Sequence, residues 1–393
     1  MRRWIGFFVV LVFSAVTAPA YAQAPIKMAF LGGLSAPFAP WGIQVRDGMK
    51  MAVAELNEKG GVLGRKLELV ERDDKNNASE GITAFRYLVE REGVVAAGGM
   101  ISSDVGLAVS REAEAARVPF FLTMSGSQRI LKQSSRYTFR TCLVAAPMTM
   151  EPVAAFIKER KLTRVGAIIA DYEWGHALRE AFEKVIKPLP GVRTQVEVAP
   201  VPERDFTPYL RKLQALNPEL IVATGHPPGN PVITRQAIEL GMKTLVTGSW
   251  SPPEFVIQRV GELVYGNYMD YTCLDYESPA YQALAEKFYA AQKRLFEHNA
   301  FSGYVIVKMV ADAIERTKST DPKVIAEAIR KGKFIQPGYG WPISYTEWGE
   351  MKDTTPIFFT YEKGSAGKIN PAANWRPKVL FRSPPIQPYV PTE

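Results

Sequence analysis

Histidine is the side chain best suited to proton transfer near neutral pH. This chain of 393 residues has three, His176, His226 and His298. No two stand at the spacing of a metal site, and neither a His-Glu-x-x-His pair nor a Gly-x-Ser-x-Gly elbow occurs. The run "GGVLGRK" lacks the spacing of a phosphate-binding loop. Asp73-Asp74 could serve as paired carboxylates, but with no other catalytic group beside them they read as strand-end acids that cap the next segment. Cys142 and Cys273 are the only cysteines, too few for a disulfide framework or a thiolate zinc site. What remains is binding chemistry. Ser102 and Ser103 stand between an apolar run and a helical pattern, where free backbone N–H groups and a positive dipole end favour an anion. No enzyme activity, cofactor or metal is expected.

The elements that must carry these residues alternate. Strand "IKMAFL" (26–31) precedes a helical pattern at 42–58, "KLELVERD" (66–73) one at 79–91, and "GVVAAGG" (93–99) one at 103–116, before "VPFFLT" (118–123). A second series runs through "RVGAIIAD" (164–171), "TQVEVAP" (194–200), "ELIVATG" (219–225) and "KTLVTG" (243–248), each followed by a helix. Strands alternating with helices of this length predict parallel sheets covered on both faces. Two such series predict two doubly wound α/β lobes. Three further helical patterns follow at 278–296, 302–317 and 321–331, and the proline-rich last residues should be extended or partly ordered over the surface.

Composition bounds the rest. Arg2-Arg3, the apolar run from Trp4 to Val16, and Ala20-Tyr21-Ala22 read as a secretory leader cleaved before Gln23, too short in its apolar part to span a bilayer. The mature chain then carries +6, the formal +8 less Arg2 and Arg3. Its positive charges are interleaved with acids, as in "EKFYAAQKRLFEH", so no nucleic-acid partner is expected. A hydrophobic fraction of 47% is ordinary for a globular chain.

"LGGLSAPFAPWG" (31–42), "ELNEKGGVLGRKLELVERDD", "GMISSDVGLAV" and "VPFFLTMSGS" resemble the leucine/isoleucine/valine-type, or type I, periplasmic solute-binding proteins of ABC importers. The resemblance runs to about residue 345. It implies two lobes joined by a three-crossing hinge, with ligand held between them: a leader at 1–22, lobe 1 from 23–142 and 274–342, and lobe 2 from 143–273 and 343–393. It implies a monomer in the periplasm and an inner-membrane ABC permease as partner. A ligand-sensing regulator on the same fold is the remoter alternative.

The resemblance also assigns a site. Ser102, Ser103, Thr123 and Ser125 match positions that hold a ligand carboxylate. Trp41 matches an aromatic that covers the ligand, on a loop whose Gly32 and Gly33 permit a tight turn and whose Pro37 and Pro40 stiffen it. On the second lobe Tyr172, Trp174, His226 and Trp250 follow strand ends, and Phe301 and Tyr304 open a later helix. Trp250 stands where amino-acid-binding members place a glutamate for the ligand's ammonium, so an apolar or aromatic carboxylate is expected ahead of a branched-chain or other hydrophobic amino acid. Asp104, Asp171 or Glu173 could supply a relocated ammonium partner. If the crossings run side by side, Cys142 and Cys273 are either bridged or two buried thiols.

Overall fold

A computed structural model describes residues 23–35, 37–224 and 229–392; the expected leader and His226 lie outside them. The chain builds two sheets in succession. β1 (Ile26–Gly32), α1 (Ala39–Glu58), β2 (Leu67–Asp73), α2 (Ala78–Glu90), β3 (Ala96–Met100), α3 (Ser103–Ala116), β4 (Phe120–Leu122) and β5 (Thr138–Arg140) form the first half. Their strands make a five-stranded parallel sheet in the order β2-β1-β3-β4-β5.

α4 (Ala146–Glu159) leads into β6 (Arg164–Ala170), α5 (Glu173–Ala181), β7 (Arg193–Ala199), α6 (Thr207–Gln214), β8 (Leu220–Ala223), α7 (Gly229–Glu239), β9 (Leu245–Thr247), α8 (Pro253–Val260) and β10 (Tyr268–Thr272). The order β10-β9-β8-β6-β7 repeats that of the first sheet read from its other edge, again all parallel. β1, β3, β4, β5, β6, β8 and β10 are buried along nearly their whole length, as strands covered on both faces must be.

α9 (Pro279–Gln292), α10 (His298–Thr317) and α11 (Pro322–Lys331) follow, then the short pair β11 (Lys333–Phe334) and β12 (Ile343–Ser344). β13 (Ile357–Lys363) pairs antiparallel with β10, and β14 (Trp375–Arg382) antiparallel with β13. The proline-rich tail thus forms an ordered sheet edge, where Pro377 is tolerated because the outermost strand has one unpaired side.

α10 fixes its place against α1 by close backbone approach. A Cβ at Gly48 would stand 1.7 Å from the Ala300 carbonyl oxygen, and one at Gly303 2.1 Å from that of Val45. Neither glycine can be replaced without separating the two helices.

The chain crosses between the sheets after β5, after β10 and between β12 and β13. The crossings are tied side by side: Arg140 N–H donates to the Gly349 carbonyl at 3.1 Å, Gly340 N–H to that of Cys273 at 2.7 Å, and Cys142 N–H to the Tyr339 hydroxyl at 2.8 Å. Cys142 and Cys273 are joined by a disulfide, with Cα atoms 5.1 Å apart. Of the two states left open by the sequence, the structure has the bridge.

Candidate functional site

In both sheets the strand order reverses beside the first strand, at β1/β3 and at β6/β8, and the loops leaving the carboxyl ends there face each other. This is where doubly wound sheets place a ligand. On the first sheet the loop after β1 is shorter than expected. Pro40 in the first turn lets α1 begin at Ala39, so Trp41 rides on a helix turn and not on a loop tip. Ser102 occupies the N-cap position of α3 without a side-chain cap bond, and its carbonyl accepts from Ser125 Oγ at 3.0 Å. Thr123 Oγ1 donates to the Met100 carbonyl at 2.8 Å, and Ser103 Oγ accepts from Ser127 N–H at 3.3 Å. All four expected hydroxyl residues are buried together, knitting the loops after β3 and β4.

The second sheet meets them with Tyr172 and Trp174 at the start of α5 and Trp250 after β9. Trp174 Nε1 donates to Ser249 Oγ at 3.1 Å. Trp41 Nε1 donates to the Trp250 carbonyl at 2.9 Å, and its ring lies 5.3 Å from that of Phe255. Phe38 and Tyr172 rings approach to 6.3 Å. At the rim Glu173 accepts from Ser127 Oγ and from Arg129, whose other nitrogen pairs with Glu180. The two sheets' loops are therefore in direct contact, joined by the Trp41 indole hydrogen bond within and the Arg129–Glu173 ion pair outside.

Trp250 is held in a left-handed conformation, φ +59°, unusual for a bulky side chain. Asp270 holds it there by accepting from the N–H groups of Trp250 at 2.7 Å and Ser251 at 2.9 Å, and also from the Tyr268 hydroxyl. Burial raises the Asp270 carboxyl to about 6 despite those bonds and the nearby His298. The indole of Trp250 stacks on Tyr271 at 5.9 Å and meets the edge of His298 at 5.8 Å. It is the Trp250 backbone carbonyl, not its ring, that receives Trp41. Asn299 Nδ2 reaches the same carbonyl at 3.5 Å. Glu297, raised to about 7 by burial, is occupied by the N–H groups of Asn299 and Ala300 and by the Asn299 amide.

Phe301 and Tyr304 are placed elsewhere. They stack on each other, Phe301 packs on Phe296 and Tyr339, and the Tyr304 hydroxyl donates to Glu55 of α1 at 2.7 Å. Asn299 and Phe301 are two residues apart, so they point to opposite sides of a helix turning about 100° per residue. Asn299, Phe38 and Phe255 are the members that sequence reasoning missed. Of the three acids considered for an ammonium, Asp171 is exposed and pairs with His176 at 3.1 Å, and Glu173 is held by Arg129. Asp104, in the first turn of α3, is raised by burial and by the charge of Glu173. Among the described residues no group of three or more metal-ligating side chains stands together.

This arrangement of facing loops on two like sheets has counterparts. A family profile described as periplasmic binding protein matches residues 25–363. The chain belongs to the periplasmic binding protein family. This binding protein is 28% identical over 366 residues to the Leu/Ile/Val-binding protein BraC3 of Rhizobium johnstonii, covering 91% of this chain and 96% of that one. Its fold matches a leucine-binding protein, LivK, of Thermotoga maritima with a TM-score of 0.78, 25% identity and coverage of 92% and 99%. It also matches a solute-binding protein of R. palustris solved with benzoate, with a TM-score of 0.77, 16% identity and coverage of 93% and 98%. The family is one of periplasmic substrate-binding receptors, of the branched-chain amino acid type. No helix among the described residues of this binding protein is long and apolar enough to cross a membrane.

Proposed function

We propose that this binding protein is the exported receptor of an ABC importer, capturing a small apolar or aromatic carboxylate between its lobes and delivering it to an inner-membrane permease. The lobes would be 23–142 with 274–342, and 143–273 with 343–393; the boundary after residue 342 falls inside the β11–β12 pair. The carboxylate would meet Ser102, Ser103, Thr123 and Ser125 at the N-terminus of α3. Trp41 and Trp174 supply the flat walls, each fixed by its indole N–H.

One observation carries the preference for an acid without an amino group. At the end of β9 the place of an ammonium partner is taken by Trp250, and both carboxylates beside it, Asp270 and Glu297, are spent on backbone N–H groups. An ammonium left unpaired in a closed cleft is costly. The benzoate-bound R. palustris protein is an example of this fold holding an aromatic carboxylate.

A second reading, a hydrophobic amino acid, is favoured by Asp104, a carboxylate in the first turn of α3, and by the name of the Rhizobium relative. Thermal-shift titration with 3-phenylpropanoate and L-phenylalanine, which differ in the amino group, separates them. Stronger stabilisation by phenylpropanoate is expected. Tighter binding of phenylalanine, or of L-leucine, overturns the carboxylate reading in favour of the second.

A further inference from the structure

The loop after β4 takes its shape from a side chain that was not among the expected site residues. Arg140, the last residue of β5, is completely buried, and so is its partner Glu350 in the third crossing; Arg140 Nε donates to Glu350 Oε2 at 2.8 Å. The two terminal nitrogens of the guanidinium donate to the carbonyls of Ser125 and Ser127, the latter at 2.6 Å. Replacing such a buried pair by apolar groups is often neutral for stability, so stability alone does not account for it.

Peptide planarity gives the fork a second consequence. In a trans peptide the C=O and the following N–H point in opposite directions. With the carbonyls of Ser125 and Ser127 drawn to one guanidinium, the N–H groups of Gly126 and Gln128 turn away from it. The side turned away is the one that meets the second lobe: a Cβ on Gly126 would stand 2.2 Å from the Trp174 ring, and Ser127 Oγ bonds Glu173. On the other side Glu350 accepts from Met351 N–H, and Arg140 N–H bonds the Gly349 carbonyl, so the guanidinium is anchored in two of the three crossings.

We infer that Arg140 and Glu350 are positioning residues for ligand capture, locking residues 125–128 with their hydroxyls and amides toward the cleft and tying that lock to the hinge. The inference rests on the reading of this loop as ligand-facing. Bending of the third crossing moves Glu350, and the loop follows through the fork.

The test is hydrogen exchange on the unliganded full chain, comparing wild type with an Arg140→Met/Glu350→Met double variant. The reporters are the amides of Ser127 and Arg129, which donate to Ser103 Oγ and Ser127 Oγ, with β1 and β6 as internal controls. Exchange at the reporters is expected to rise about tenfold while the controls and the melting temperature hold, as for a locally loosened segment. Scattering should show a larger radius of gyration. Wild-type exchange at the reporters, or an equal rise at the controls, overturns the inference. Should the double variant fail to fold, Arg140→Lys keeps the charge without the fork, and wild-type loop exchange in that variant is equally fatal. No ligand enters the readout, so a wrong ligand class shows itself separately, in the thermal-shift comparison.

Discussion

Gly126→Ala adds one methyl group where the loop after β4 meets Trp174 of the second lobe. Gly126 is not among the residues with positive φ, so alanine fits its backbone, and loss of glycine's freedom in the unfolded chain favours the folded lobes slightly. The new Cβ would stand 2.2 and 2.6 Å from Cζ3 and Cη2 of Trp174, and 2.9 Å from Leu143 Cδ2. Leu143 presents a flexible end. Trp174 does not, because its indole is 4% exposed and bonded to Ser249. Relief therefore requires the lobes to part. Overpacking of this kind costs about 1–3 kcal/mol. Here the cost falls only on the closed arrangement, so the closed-to-open ratio should drop by roughly 5- to 150-fold. Scattering on the unliganded chain reads the opening as a larger radius of gyration, and any ligand found by thermal shift should lose affinity in proportion to the fall in the closed fraction, at most by that factor. Unchanged radius and affinity would refute the argument. So would a large fall in melting temperature, which would put the clash inside one lobe.

Three further outcomes are expected. Trp41→Phe removes the donor to the Trp250 carbonyl, which keeps Asn299 as a partner, so calorimetry should show ligand affinity about 2- to 13-fold weaker, the worth of one net hydrogen bond of about 0.5–1.5 kcal/mol. Glu297, held near 7 when folded and ordinarily near 4.5, binds more protons folded than unfolded, so its contribution to stability falls as pH rises from about 4.5 to 7. Asp270 acts in the same direction and His298, pushed down by burial, opposes them below its ordinary value of 6.5. Glu297→Gln should flatten the decline in urea midpoint across that window, and parallel curves for variant and wild type would count against it. Thiol titration of the unfolded, unreduced protein should find no free thiol, and Cys142→Ser/Cys273→Ser should cost about 2–5 kcal/mol in urea unfolding.

The alternation of strands and helices was legible because parallel strands are apolar on both faces and amphipathic helices are not. The ends were less so: Pro377 disguised β14, and α4 has no side-chain cap and an internal Pro152. Trp41, Trp174, Ser102, Ser103, Thr123 and Ser125 could be singled out in the sequence as candidates because each lies in the segment that follows a strand's carboxyl end. Phe301 and Tyr304 were misplaced because helix phase relative to the cleft depends on α1, whose Gly48 sets the contact with α10. The same phase hid Asn299. Arg140 and Glu350 gave no local signal, since arginine and glutamate are seldom fully buried and nothing in 210 residues of separation marks them as partners.

The bridge from Cys142 to Cys273 turns the intervening chain into a covalent ring. Force applied to the two ends of the molecule runs along the disulfide and bypasses everything inside it. At about 3.3–3.6 Å per extended residue, a separation of 131 keeps roughly 430–470 Å of chain out of the stretched length. A machine that unfolds proteins by threading them from one end would meet a branch at the first cysteine it reached. It would have to pass three strands abreast, or wait for the bond to be reduced.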